Sequence, residues 1–152
     1  YRKEAVRDFV RLSHEAVTAA RPQMGVSAAV FKNPVHSGRF IGQDWREFVP
    51  WVDTMIPMDY RDHFPGNFEQ YLNLLEETIQ KQKQWSAPSE ALWIGIAINF
   101  LYKEEPNGPY PADKLQRAID LIEATGVEGI VLFCESHLTE FGMWDTVKRR
   151  FA

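Results

Sequence analysis

Val52-Asp53-Thr54-Met55-Ile56-Pro57-Met58-Asp59-Tyr60 is the stretch from which the fold can be read. From Val52 to Met58 it is short and mostly apolar, as a strand in a helix-covered sheet has to be, and it then breaks into the polar pair Asp59 and Tyr60. Upstream, Asp44 with Glu47 fits an N-cap and capping box, so a short helix is expected to open at Asp44-Trp45-Arg46-Glu47-Phe48. The breakers Pro34, Ser37, Gly38 and Gly42 before it read as a loop. Before that loop, Val26 to Phe31 is another apolar run, and Arg2 to Ala20 has helical apolar spacing that Pro22 stops.

Downstream the alternation continues. Asn67 to Lys83 is a long helix with Phe68, Tyr71, Leu72, Leu75 and Ile79 inward. Leu92 to Ile98 is a third strand, followed by a loop from Asn99 to Tyr110. A helix starting at Pro111 buries Leu115, Ala118, Ile119 and Ile122 and ends at Gly126. Gly129 to Phe133 is a fourth strand, and a last helix runs from about Thr139 or Glu140 to Arg150. The order α-β-α-β-α-β-α-β-α, with continuous apolar strands, implies an α/β fold with a parallel sheet covered by helices. A doubly wound sheet and part of a barrel both fit that order. No GxGxxG follows any strand, and nothing calls for a cofactor.

The chain has 152 residues, 45% of them apolar and 25% charged, enough for one domain over 1–152 with its own core. Its net charge is −4, with Lys and Arg scattered along the helices, so no nucleic-acid surface is expected. No apolar run is long enough for a membrane span. Tyr1 opens directly into helical sequence without an initiator Met, so a longer parent is expected, and a signal peptide on it would make that parent secreted, periplasmic or lipid-anchored. The single cysteine, Cys134, continues an apolar run and is expected to be buried.

The segment Val52 to Tyr60 resembles the sixth-strand signature of bacterial glycoside-hydrolase-like (β/α)₈ proteins, the group loosely called glycosyl-hydrolase-like family ten and its uncharacterised relatives. Val26 to Phe31 then looks like strand five, Gly42-Gln43-Asp44-Trp45 like the start of the following helix, and Gly129 to Phe133 like strand eight. The resemblance spans nearly the whole chain and implies the C-terminal half of a TIM-type (β/α)₈ barrel, strands five to eight. It also implies a carbohydrate-active glycoside hydrolase as the parent, with an oligosaccharide or polysaccharide as its partner. A non-catalytic glycan-binding or assembly protein is the alternative.

In such barrels the site lies at the C-terminal strand ends. Strand five delivers Lys32 and Asn33, strand six Asp59, Tyr60, Asp62 and His63, strand seven Asn99 and Tyr102, and strand eight Glu135, Ser136 and His137. Glycoside hydrolysis needs one carboxyl to protonate the leaving oxygen and another as base or nucleophile, which makes Asp59 and Glu135 the expected catalytic pair. Two strand spacings put them about 10 Å apart, at the outer limit of an inverting geometry. The structural alternative has Asp59 capping the loop and Glu135 merely solvated. Substrate contacts are expected from Asn33, Tyr60, His63, Asn99, Tyr102 and His137, with Tyr60 the best placed to stack on a sugar ring. Trp45 and Trp51 read as core residues. Asp59, His63, Glu135 and His137 lack any HxxxH or HxH spacing, so no metal site is expected.

Strand four, which carries a key carboxylate in retaining barrels, lies outside this sequence, and strand five ends in Phe31-Lys32-Asn33-Pro34 without an acid. The chain by itself is therefore expected to be inactive, and to need either the missing N-terminal half of the barrel or a second copy of itself.

Overall fold

The pattern of apolar spacing becomes seven helices and four strands in the computed structural model, which describes Tyr1 to Phe151. They are α1 (Arg2–Ala20), β1 (Ser27–Phe31), α2 (Pro34–Ile41), β2 (Thr54–Met58), α3 (Phe68–Trp85), β3 (Ala91–Ala97), α4 (Ile98–Leu101), α5 (Ala112–Ala124), β4 (Gly129–Phe133), α6 (Glu135–Glu140) and α7 (Trp144–Phe151). All strand pairs are parallel, and the sheet order β1-β2-β3-β4 is the chain order. Four parallel strands alternating with helices match the expected half-barrel.

Strand register sorts every side chain to one of two faces. Met55 pairs with Leu92, and Ile94 and Ile96 with Ile130 and Leu132; these residues point at the helices, with Met55, Ile94 and Ile96 fully enclosed. Leu75 and Ile79 of α3 and Leu115, Ala118, Ile119 and Ile122 of α5 meet them. Each fully buried Ile or Leu contributes about 1.5–3 kcal/mol, so this layer is the main source of stability. Ser27, Ala29 and Phe31 on β1 share the other face with Ile56, Met58, Trp93, Val131 and Phe133. There Trp93 is 41% and Phe133 51% exposed. The expectation of strands buried on both faces therefore holds on one face only, because no described element covers the second.

The N-terminal strand ends are clipped by acids. Asp53 takes the Val26 amide on its carboxylate at 2.5 Å, and Glu128 takes the Leu92 amide at 2.9 Å. Such charge-assisted bonds fix strand entry below the sheet, on the side away from the expected site. Gly129 enters where a Cβ would fall 2.7 Å from the Trp93 indole, so a larger residue there would displace that ring. The long helix α3 starts in a full capping box, Asn67 and Gln70 exchanging bonds of 3.0 Å each.

Several local expectations differ. The loop over Pro34 to Gly42 is a helix: Asn33 caps it through bonds from the Val35 and His36 amides, Pro34 fills its first turn, and Gly42 closes it at φ 80°. A Cβ on Gly42 would also lie 2.8 Å from the Arg2 backbone. Asp44 opens only a 3₁₀ turn over Trp45–Glu47 and makes no side-chain cap; its carboxylate is taken by Lys3 and Arg46 instead, and these bonds hold its pKa below the usual carboxylate range despite burial. The loop after β3 begins with the turn α4. The final helix is two, α6 and α7, hinged at Gly142 with φ 65°. Trp45 is fully buried and edge-on to Trp85, as a core residue should be.

Candidate functional site

The C-terminal ends of the strands carry an aromatic ribbon. Tyr60 stacks on His63, with ring centroids 5.6 Å apart, and on Phe133 at 5.7 Å. Phe100 leans on Tyr60 at 6.4 Å, and Phe31 on His63 at 6.3 Å. The row Phe31, His63, Tyr60, Phe133 thus crosses from β1 past β2 to β4. Tyr60 follows Asp59 and falls on the uncovered face by strand alternation. Partial burial, and the nearby charges of Asp62 and Cys134, raise the Tyr60 pKa, so its hydroxyl remains a donor at neutral pH.

His63 turns Nδ1 to the Met58 carbonyl at 3.2 Å, which requires a proton on that nitrogen, and its Nε2 lies 3.8 Å from Asp62. Asn33, expected to touch substrate, has its side-chain oxygen engaged in capping α2; its amide NH₂ remains on the exposed side. Lys32 donates to the His63 carbonyl and rests its ammonium 3.4 Å over the Phe64 ring. Burial lowers its pKa, against the pull of Asp59 and Asp62.

Asp59 is placed differently from the expectation. It keeps the strand parity of Met55 and Pro57, so its side chain points into the helix layer and is 0% exposed. Gln82 of α3 donates to its Oδ1 at 2.9 Å and to the Lys32 carbonyl at 3.0 Å, and the Tyr71 hydroxyl donates to the Asp59 carbonyl at 3.1 Å. Its Oδ2 and the Gln82 Oε1 are buried oxygens without a hydrogen-bond partner. Burial pushes the Asp59 pKa up to about 8, against the Gln82 bond and the Lys32 charge, so this carboxyl is neutral at neutral pH. In this position it touches no solvent.

Glu135 lies at the start of α6, exposed to solvent at the end of β4. Asp59 and Glu135 are thus not brought onto one surface, with β3 between their strands and Asp59 turned to the opposite face. Cys134 is only partly buried, because β4 ends before it; its Sγ meets the Ser136 hydroxyl at 3.0 Å and His137 Nδ1 at 3.5 Å, and the Ser136 bond lowers its pKa. Tyr102, expected at the substrate, is instead a core residue at 2% exposure; its hydroxyl donates to the Pro111 carbonyl at 2.7 Å, and burial raises its pKa far above the usual phenol range. Asn99 and His137 border a shared hollow of about 280 Å³, where the Asn99 Oδ1 has no donor and His137 stacks on Phe141 at 5.8 Å.

The sequence reading passed over Phe31, Phe100, Phe133 and Arg61. The first and third could have been found from register, since Phe31 aligns with Met58 and Phe133 with Ala97 on the uncovered face. Arg61 is fully buried, bonded to the Glu104 carboxylate and to the Phe100 carbonyl at 3.3 Å, and so pins the loop after β3 beside Tyr60. Among the described residues no group of three or more His, Cys, Asp and Glu side chains is arranged to hold a metal ion. No helix among them is long and apolar enough to cross a membrane.

No protein-family profile and no curated protein matches the chain. Among solved structures it is similar to a hyperthermostable endo-1,4-β-D-mannanase from Thermotoga petrophila RKU-1, solved with maltose and glycerol, at 13% identity and a TM-score of 0.57. That alignment covers 86% of this chain and 40% of the mannanase. A second endo-β-1,4-mannanase from Thermotoga petrophila aligns at 14% identity and a TM-score of 0.62, over 86% of this chain and 31% of that one. The chain spans less than half the length of either. At these identities the likeness shows the fold alone: an α/β chain of four parallel strands alternating with helices that matches half of a (β/α)₈ barrel.

Proposed function

We propose that this chain forms the strand-five-to-eight half of the cleft of a glycoside hydrolase that cleaves O-glycosyl bonds in an oligosaccharide or polysaccharide. The observation that carries the reading is the aromatic ribbon Phe31, His63, Tyr60, Phe133 across the C-terminal strand ends. Sugar rings present apolar C–H faces that stack on such surfaces, while the Tyr60 hydroxyl and the Asn33 and Asn99 amides hydrogen-bond their hydroxyls. The resemblance of Val52 to Tyr60 to the glycoside-hydrolase-like barrels, and the names of the two similar structures, support the same class. Glu135, exposed at the end of β4, takes the acid or base role. Asp59, enclosed and neutral, acts behind the cleft by accepting from Gln82, whose amide also holds the Lys32 carbonyl. The second carboxyl comes from the missing N-terminal half, and the chain alone is inactive.

One observation favours a second reading. Of the two expected acids only Glu135 is exposed at the strand ends, and a glycan-binding protein needs the ribbon but no acid pair. The test uses the full natural polypeptide on β-1,4-mannan and on other soluble glycans, measuring release of reducing ends and, separately, binding. Glu135→Gln lowers kcat by about 10²–10⁴-fold with binding retained, and Tyr60→Ala weakens binding by about 3–10-fold. Unchanged turnover in Glu135→Gln removes that residue from the mechanism. Binding by the wild type without cleavage of any glycan establishes the second reading.

A further inference from the structure

Beside the ribbon, at the end of β1, a cavity of about 510 Å³ opens between β1, α2 and the turn after β2. Its apolar walls include Phe31, Phe40 and Ile41, each more than 40% exposed. Its titratable residues are Lys32, His36 and His63, all basic, and no acid lines it. This is unusual in a chain whose net charge is −4. The ion-paired lysines among the described residues are Lys3 and Lys114. Lys32 spends one donor on the His63 carbonyl and lies on the Phe64 ring, with no carboxylate at ion-pair distance, although the charges of Asp59 and Asp62 reach it. Asp62 stands near His63 but outside the cavity lining, and Asp59 faces the other layer.

An apolar wall joined to an unpaired ammonium suits a ring that is flat and apolar on one side and negatively charged at its edge. We infer that this cavity is a subsite for an anionic sugar unit, its carboxylate or sulfate ester meeting Lys32 and its ring resting on Phe31 and Phe40. The inference rests on the glycan reading above and narrows it to acidic glycans. Because the cavity shares Phe31 and His63 with the ribbon, the acidic unit would sit next to the sugar stacked on Tyr60 in one continuous chain.

The test is calorimetric titration of the full natural polypeptide with mannotriose, with the trisaccharide of mannuronate, with a sulfated neutral trisaccharide and with inorganic sulfate. An acidic trisaccharide is expected to bind at least about 10-fold more tightly than mannotriose, with the preference weakening at high salt. Lys32→Met removes the preference, Lys32→Arg restores most of it, and His36→Ala, on the exposed face of α2, weakens it by about 2-fold. Which acidic trisaccharide prevails identifies the charged group. Equal affinities for neutral and acidic trisaccharides overturn the inference while leaving the glycan reading standing, as does a preference that survives in both Lys32→Met and His36→Ala. Binding of no trisaccharide, or of inorganic sulfate alone, overturns both.

Discussion

Both faces of the sheet carry large apolar residues, and they end in opposite circumstances. On one, Met55, Ile94 and Ile96 lock against α3 and α5 and lose all contact with water. On the other, Phe31 at 42%, Trp93 at 41% and Phe133 at 51% remain exposed. The difference teaches that hydrophobicity along a parallel strand specifies that both faces want cover, without specifying where the cover comes from. For the first face it comes from the helices that follow each strand. For the second no described element supplies it, and β1 and β4 are likewise paired on one side only.

The largest test of that contrast compares Ile96 with Trp93. In urea unfolding of the 152-residue chain, Ile96→Ala costs about 2–5 kcal/mol, and Trp93→Ala less than about 1 kcal/mol because no layer is lost above it. In the full natural polypeptide the cost of Trp93→Ala rises above about 2 kcal/mol; equal costs in both settings would show that the second face is never covered. A smaller effect probes the closed layer through Asp59. Its pKa, about 8 in the fold, lies above its ordinary value, so the folded chain holds the extra proton between the two and loses stability as pH rises through that window. Asp59→Asn keeps the Gln82 bond within reach and removes the slope: thermal midpoints measured at pH 5 and pH 8.5 differ in the wild type and converge in the variant. A slope unchanged by the substitution would place the titrating group elsewhere. The smallest effect is on association. Sedimentation of the 152-residue chain shows self-association through the uncovered face, and Phe133→Lys together with Trp93→Lys shifts it toward monomer; a wild-type chain monomeric at all concentrations would mean that the face tolerates water.

Most of this architecture was legible from spacing alone. The four strands fall within two residues of their expected ends, because short apolar runs set between polar residues have few other uses. The helix α2 was hidden by Pro34, Ser37 and Gly38, each a loop signal by itself, although Asn33 followed by Pro34 is also the signature of a capped first turn. The site was less legible. Asp59 looked like a cleft residue because it ends a strand, but counting by twos from Met55 already sends it to the helix side, where Gln82 meets it. Tyr102 was misplaced for a different reason: the turn α4 swings it inward, and nothing in Asn99-Phe100-Leu101-Tyr102 separates an inward tyrosine from an outward one until Pro111 supplies its acceptor. Tyr60, expected to be the best placed to stack on a sugar ring, lies in the turn after β2 and stacks on His63 and Phe133.

The strand order β1-β2-β3-β4, identical to the order in the chain, has a meaning for synthesis. A ribosome releases each strand after the neighbour it pairs with, so each addition closes a single helical crossover and no longer loop. Growth proceeds in one direction and leaves a live edge at each stage. Early arrival of the helix-covered layer would give the nascent chain a finished side to shield, while the sticky side waits for whatever completes it.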